Sequence, residues 1–389
     1  MITLKKSALY KRIFLYLFSV FIFACVDPIR PEYEFINDLI FIDAIASTYS
    51  DASFVKLNKS VVENGRNNNV FIEGATVSFV NTITSEEVNL IQDDEIYLPP
   101  ANFAVSEGET WELSVTLSNG KRYISLPETV LPPVEIKSIS AIYNPELVYR
   151  DISESYVPGH SILVDFDDQV DIENYYYWSF RSFEKISVCK TCEGGIFRDG
   201  VCEQNPAGTN RKNYYNYLCE SECWQIRHNE NVNIFSDEFS NGLSVSNLPI
   251  ANILLYTKED ILVEIQQFSL STSAYKYYKI LKDVVNNSGS FNAPPPAAFI
   301  GNIFNPDDDE EYVLGQFTAA STVTKSIFIS RKDISEAPID QPNSIKLEDC
   351  FEVCDPTLCP TGECVEVRFT ECIESRNRTG VEPEGWIDE

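Results

Sequence analysis

Apolar and polar positions alternate with a period of two along most of the chain beyond residue 39. The clearest case is Thr110–Ser125. Trp111, Leu113, Val115 and Leu117 interleave with Glu112, Ser114 and Thr116, which predicts a half-buried strand. Asn119-Gly120 predicts a type I′ turn, and Lys121-Arg122-Tyr123-Ile124 the return strand. A short run at Phe54, Val55 and Leu57 and a strand over Gly74–Val80 belong to the same region. Strands at this spacing, with turn residues between them, predict an Ig-like β-sandwich over 39–131. Leu131-Pro132-Pro133 then favours an extended boundary.

A second β-rich region is expected over 134–345. Its strand candidates are Ser161–Phe166, Tyr175–Phe180, Ile253–Tyr256, Ile261–Phe268, Val313–Phe317 and Ser326–Ile329, all rich in β-formers. One stretch changes period. Over 271–285, Ala274, Tyr277, Tyr278, Leu281, Val284 and Val285 share a helical stripe, while Lys276, Lys279 and Lys282 lie opposite. Ser271 can cap the start of this amphipathic helix and Asn286-Asn287-Ser288-Gly289 can end it. The tyrosines read as core packing of that helix on a sheet. The fold class is therefore mainly β, with two sandwich-like domains and one helix.

Charge narrows the partners. The 389 residues carry 30 Lys+Arg against 59 Asp+Glu, a formal net charge of −29. Such a chain repels phosphate backbones, so no nucleic acid is expected as a partner. His160 and His228 are the only two histidines, which argues against multi-histidine metal sites and relays.

The N-terminus reads as an address. Lys5, Lys6, Lys11 and Arg12 precede the apolar stretch Ile13–Phe23, too short to span a bilayer and typical of a secretory signal over 1–24. Ile22-Phe23-Ala24-Cys25 resembles the lipobox of bacterial lipoproteins, which implies cleavage before Cys25 and lipid, such as palmitate, on its thiol. The alternative is a plain signal peptide with a chance cysteine. Residues 25–38 form a polar tether, and its Asp27, Glu32 and Glu34 resemble surface-export signals of such lipoproteins. Without residues 1–24 the balance is 26 minus 59, or −33.

Ten further cysteines fall into an insert at 189–223 (Cys189, Cys192, Cys202, Cys219, Cys223) and a C-terminal tail at 346–389 (Cys350, Cys354, Cys359, Cys364, Cys372). An exported chain with an even count suggests disulfides. Five per cluster is odd, so complete pairing requires at least one bridge between insert and tail. Zinc is the competing reading, because Cys189-x2-Cys192 and Cys219-x3-Cys223 have ligand-like spacing near His228.

Catalytic motifs are sparse. There is no Gly-x-Ser-x-Gly elbow, P-loop or dinucleotide fingerprint, so no cofactor is expected. Asp165, Asp167, Asp168 and Asp171 crowd one turn with Glu173 and are candidate calcium ligands, although the glycine and terminal glutamate of an EF-hand loop are missing. A solvated acidic loop is the plainer reading there and at Asp307–Glu311. His160, in Pro158-Gly159-His160-Ser161, is expected to be exposed in a turn.

Several segments carry a resemblance in their order. They are Ile72–Val77, Gly120–Tyr123, Gln266–Ser271 with Ala274-Tyr275, Pro294-Pro295-Pro296, Gly301-Asn302-Ile303 and Val313–Ala320. Together with the lipobox they resemble an uncharacterised domain family of Bacteroidota outer-membrane lipoproteins, often encoded beside SusC-like TonB-dependent transporters. The resemblance implies a lipid-anchored protein facing the cell exterior. It also implies a non-enzymatic accessory or substrate-capture role beside a TonB-dependent β-barrel. It carries no catalytic residues. The alternatives are an adhesive or structural surface module, or a hydrolase using an unrecognised acidic pair.

Overall fold

The computed structural model describes residues 38–389 apart from 64–65, 151–152, 171–172, 194, 199–200, 205–214, 230, 288–299, 340–371, 373 and 389. Nine strands come first: β1 (Ile40–Ser47), β2 (Phe54–Glu63), β3 (Arg66–Phe71), β4 (Thr76–Asn81), β5 (Glu87–Asp93), β6 (Ile96–Leu98), β7 (Thr110–Thr116), β8 (Arg122–Ser125) and β9 (Glu128–Thr129). Next are β10 (Ile136–Arg150), β11 (Ser155–Asp167), β12 (Tyr175–Glu193), β13 (Gly195–Arg198), β14 (Val201–Gln204), β15 (Tyr215–His228), β16 (Asn233–Ser236), β17 (Ser244–Leu254) and β18 (Ile261–Leu270). The helix α1 (Thr272–Asn287) precedes β19 (Ile303–Phe304), β20 (Val313–Ala320), β21 (Thr322–Ile329) and β22 (Arg378–Thr379). The protein is mainly β.

The alternating pattern at 110–117 becomes β7, with Trp111, Leu113 and Val115 buried. Its turn differs from the expected type I′. Only Gly120 takes a positive φ, at 87°. Gly120 N–H donates to Leu117 O and Leu117 N–H to Lys121 O, each at 2.9 Å, closing a three-residue loop. Gly120 supplies the left-handed residue that such a loop needs, and Asn119 stays in ordinary backbone space.

Strands β1–β9 join β19 and β20 in an eleven-stranded ribbon that rolls around one core. Ile42, Leu57, Phe79, Leu113, Tyr123 and Phe317 fill it. The ribbon's two ends meet: Ile300 bridges Gly315, and Phe317 N–H donates to Asn302 Oδ1 at 2.9 Å. Past the boundary expected at 131–134 the chain enters the second unit and returns to the first through β19 and β20. The strand expected at Val313–Phe317 in the second region lies parallel to β1 in the first. Gly315 makes that approach feasible, since a Cβ there would sit 1.8 Å from Ile42 O.

The second unit is a sandwich. A three-stranded sheet (β10-β11-β17) faces a six-stranded sheet built on β21-β18-β12-β15-β22, with β16 also paired to β12. Phe166, Tyr176, Trp178, Val263 and Ile265 pack between them. Gln267, nearly fully buried, accepts from Trp178 Nε1 at 3.1 Å and donates to Val134 O at 2.6 Å, which satisfies both ends of its amide.

The opposite face of the six-stranded sheet is covered by α1. Ser271 caps the helix as expected, its Oγ accepting from Ala274 N–H at 3.2 Å. Ala274, Tyr277 and Tyr278 are buried against Phe268, Leu270, Ile45 and Ala320, so this cluster spans both units. Only Ser321 separates β20 in the first sheet from β21 in the second. Ser47 and Thr322 hydroxyls lie 2.7 Å apart across that crossing, and Thr322 N–H donates to Thr48 Oγ1 at 2.9 Å. The crossing is thus a hydrogen-bonded joint.

Candidate functional site

Two adjoining hollows, of about 790 Å³ and about 1250 Å³, open between the rolled sheet, the six-stranded sheet, α1 and the C-terminal tail. They share Lys56, Ile226, His228, Asn229, Ser375 and Arg376, so they form one cleft. Strand pairing explains its first wall. Asp43 of β1 and Lys56 of β2 are cross-strand partners. Their neighbours Ile42, Ala44, Val55 and Leu57 fill the core behind them. A period of two then turns Asp43 and Lys56 to the cleft.

The opposite wall comes from β12, β15 and β18. Here Arg181 of β12 pairs across the strands with Glu264 of β18. Arg181 Nε donates to Glu264 Oε1 at 2.8 Å, and its Nη2 donates to Tyr49 OH at 2.9 Å and Asp51 Oδ2 at 3.1 Å. Tyr49 and Asp51 belong to the first unit, so this cluster ties one β unit to the other. Burial pushes the Tyr49 hydroxyl up to about 12, with the Glu264 charge adding to it, so Tyr49 remains a neutral donor.

The floor is the tail. Cys372 is disulfide-bonded to Cys223 of β15, 149 residues away in sequence. β22 pairs with Trp224 and Gln225, and Trp386 packs edge-on against Trp224 and Phe328 at 5.8 and 5.4 Å. These contacts carry Arg376 into the cleft. His228 Nε2 lies 2.8 Å from Arg376 O, which requires the ring to donate from Nε2. Burial, then the Arg376 charge, pushes His228 down to about 4, so the ring is neutral at pH 7.

Charge in the cleft is uneven. Lys56 Nζ and the Arg376 guanidinium each lie 5.7 Å from the Phe54 ring centroid. Burial lowers the pKa of both, and Arg376 depresses Lys56 further. Asp43 opposes both shifts, while its own pKa is raised by burial. Among the described residues, none of these three makes an ion pair within 4.0 Å.

The described aspartates of the acidic turn are each held by protein partners. Asp165 accepts from Ser138 Oγ and Asn247 N–H, and Asp167 pairs with Lys137 and Ser244. Asp168 is buried and accepts from Tyr176 OH at 2.7 Å and Gly242 N–H at 3.1 Å. Asp171 lies outside the described residues. No group of three His, Cys, Asp or Glu side chains is placed to hold a metal among the described residues. In the second acidic run, Glu311 is held by Lys121 at 2.8 Å and Tyr123 OH at 3.0 Å, so it is a paired group and not a merely solvated one.

His160 is not exposed. It sits within β11, 4% accessible, with its ring against Tyr143 and Nδ1 unpartnered. The Pro158-Gly159 pair that suggests a turn is absorbed into the strand, where Gly159 lets the backbone of β17 approach. Cys223 is taken by its disulfide and is no zinc ligand. Cys350, Cys354, Cys359 and Cys364 lie outside the described residues, as do the side chains of Cys189, Cys192, Cys202 and Cys219 and the whole segment 1–37 with Cys25. Lys56, Asp43 and Arg376 were not singled out from sequence. A lone charge inside Phe41-Ile42-Asp43-Ala44-Ile45, or between Val55 and Leu57, was the available signal. Arg376, in a polar tail, offers none.

Residues 26–326 match the model of one family, described as a domain of unknown function (DUF4249). No curated protein and no solved structure matches the chain.

Proposed function

The chain belongs to the DUF4249 family, and from that premise we propose that it is a non-enzymatic capture lipoprotein of the outer membrane. In this reading it is held by lipid on Cys25, faces the cell exterior and works beside a TonB-dependent β-barrel transporter. The cleft is the observation that carries the capture role: a large concavity in which polar and charged side chains converge beside aromatic and aliphatic ones, built on strands from both β units. Its histidine is poorly suited to general-base work, because Nε2 is committed to the Arg376 carbonyl and the ring protonates only near 4. The basic, apolar, small-residue-cysteine order of residues 5–25 supports the lipid anchor, and the ordered motifs of 72–320 support the transporter context.

Immunoprecipitation from outer membranes solubilised in mild detergent tests the partnership. The expected result is co-recovery of a large β-barrel. Recovery of the lipoprotein alone, under conditions that preserve other membrane complexes, contradicts it.

A further inference from the structure

Two cations of the cleft are left without an ion-pair partner among the described residues. Lys56 comes from β2 and Arg376 from the disulfide-held tail, and both approach the same Phe54 ring at 5.7 Å. Asp43 acts on both. Neither cation has an ion-pair partner among the described residues, unlike Arg181 nearby, which Glu264 and Asp51 neutralise. Asp93 and Glu374 line the same hollow, but both are exposed and neither pairs with Lys56 or Arg376 within 4.0 Å. In a chain carrying −29, two cations that converge on one ring without an ion-pair partner are not a by-product of composition. Partly buried charge left uncompensated is costly, and a bound anion removes that cost.

We propose that Lys56 and Arg376 form the anion-recognising end of the cleft, and that its ligand is a small organic carboxylate with an apolar or ring-shaped body. This deepens the capture reading and rests on it. The Arg376 guanidinium offers a planar fork that fits a carboxylate with two parallel hydrogen bonds, and Lys56 adds a point charge. Asp43 repels the second charge of a phosphate dianion, so a monoanion suits the pair better. Phe54, Tyr177, Phe268 and Leu281 line the same hollow and supply surface for the ligand's body. Two devices hold Arg376 in place. The Cys223–Cys372 bridge anchors its segment, and His228 grips its own carbonyl.

Calorimetry on the mature lipoprotein in mild detergent tests the assignment, with phenylacetate, its neutral analogue phenylacetamide and inorganic phosphate as probes. The expected result is saturable phenylacetate binding, at least about tenfold tighter than the amide, from loss of a charge-assisted contact. Arg376→Met and Lys56→Met should each weaken phenylacetate by about tenfold or more, with unchanged melting temperature. Asp43→Asn should tighten it. Equal affinity for acid and amide overturns the anion assignment while leaving ligand capture intact. Tighter binding of phosphate, no saturable phenylacetate binding, or wild-type affinity in Arg376→Met also overturns it. Loss of the co-purifying barrel bears on the transporter reading alone.

Discussion

Gly315 shows how much a single backbone position decides. Its φ of +116° disfavours any side chain, and a Cβ there would lie 1.8 Å from Ile42 O. Gly315→Ala must therefore strain the backbone and push β20 off β1, undoing the contact that completes the first core. We expect a loss of more than about 2 kcal/mol in denaturant unfolding, with the spectrum of a mainly β protein retained at low denaturant. His160 governs a different dependence. Burial, then the nearby Arg331 charge, pushes it down to about 4, against about 6.5 in an unfolded chain. Between those values the unfolded chain binds a proton that the folded one does not. Its contribution is complete above about pH 6.5 and declines as the pH falls through about 4. Buried carboxylates such as Glu128, raised by burial, slope the other way. The test is the difference between the wild type and His160→Phe: on going from pH 7 to pH 5 the urea midpoint should fall further, or rise less, in the wild type than in the variant. Equal changes would show that His160 does not titrate with unfolding. At the N-terminus, Cys25→Ala should abolish incorporation of labelled palmitate and move the protein from membranes to the soluble fraction. Membrane retention of the variant would count against lipid anchoring.

The strands and the helix were largely legible in the sequence, because each depends on periodicity over a few residues. β7, β18 and α1 lie close to where alternation or the 3.6-residue stripe puts them, and Ser271 caps the helix it was expected to cap. Pairing across distance was not legible. Val313–Ala320 reads as a strand, but nothing local says that it runs parallel to Ile40–Ser47 rather than staying in the region before it. The cleft shares that difficulty. Its key charges lie at positions 43, 56 and 376, brought together only by strand pairing and a disulfide. Complete pairing of the ten cysteines requires at least one bridge from the insert to the tail, and Cys223–Cys372 is such a bridge. That bridge restricts a long stretch of unfolded chain. In the loop-entropy model its removal by paired Cys223→Ser and Cys372→Ser changes costs about 5 kcal/mol, within a measured range of roughly 2–5 for native disulfides. Non-reducing peptide mapping should yield the linked peptides. Free thiols at both positions would contradict the tail anchor, and with it the placement of Arg376.

At the scale of the whole molecule, two β units are locked together by the Ser321 crossing, the α1 cluster and the Arg181 ion pairs. The cleft between them is therefore pre-shaped, and binding there loses little conformational entropy. α1 borders the cleft through Tyr278, Leu281 and Lys282, and Lys276 and Lys279 are exposed on the same helix. In the proposed capture role, a transporter that receives the ligand approaches this side. The most direct measurement is lysine-reactive cross-linking on intact cells that produce the protein, followed by mass spectrometry of the linked peptides. The account predicts cross-links from Lys276, Lys279 or Lys282 to a TonB-dependent β-barrel. Cross-links confined to this chain itself, with lysines of neighbouring surface proteins labelled normally, would contradict it.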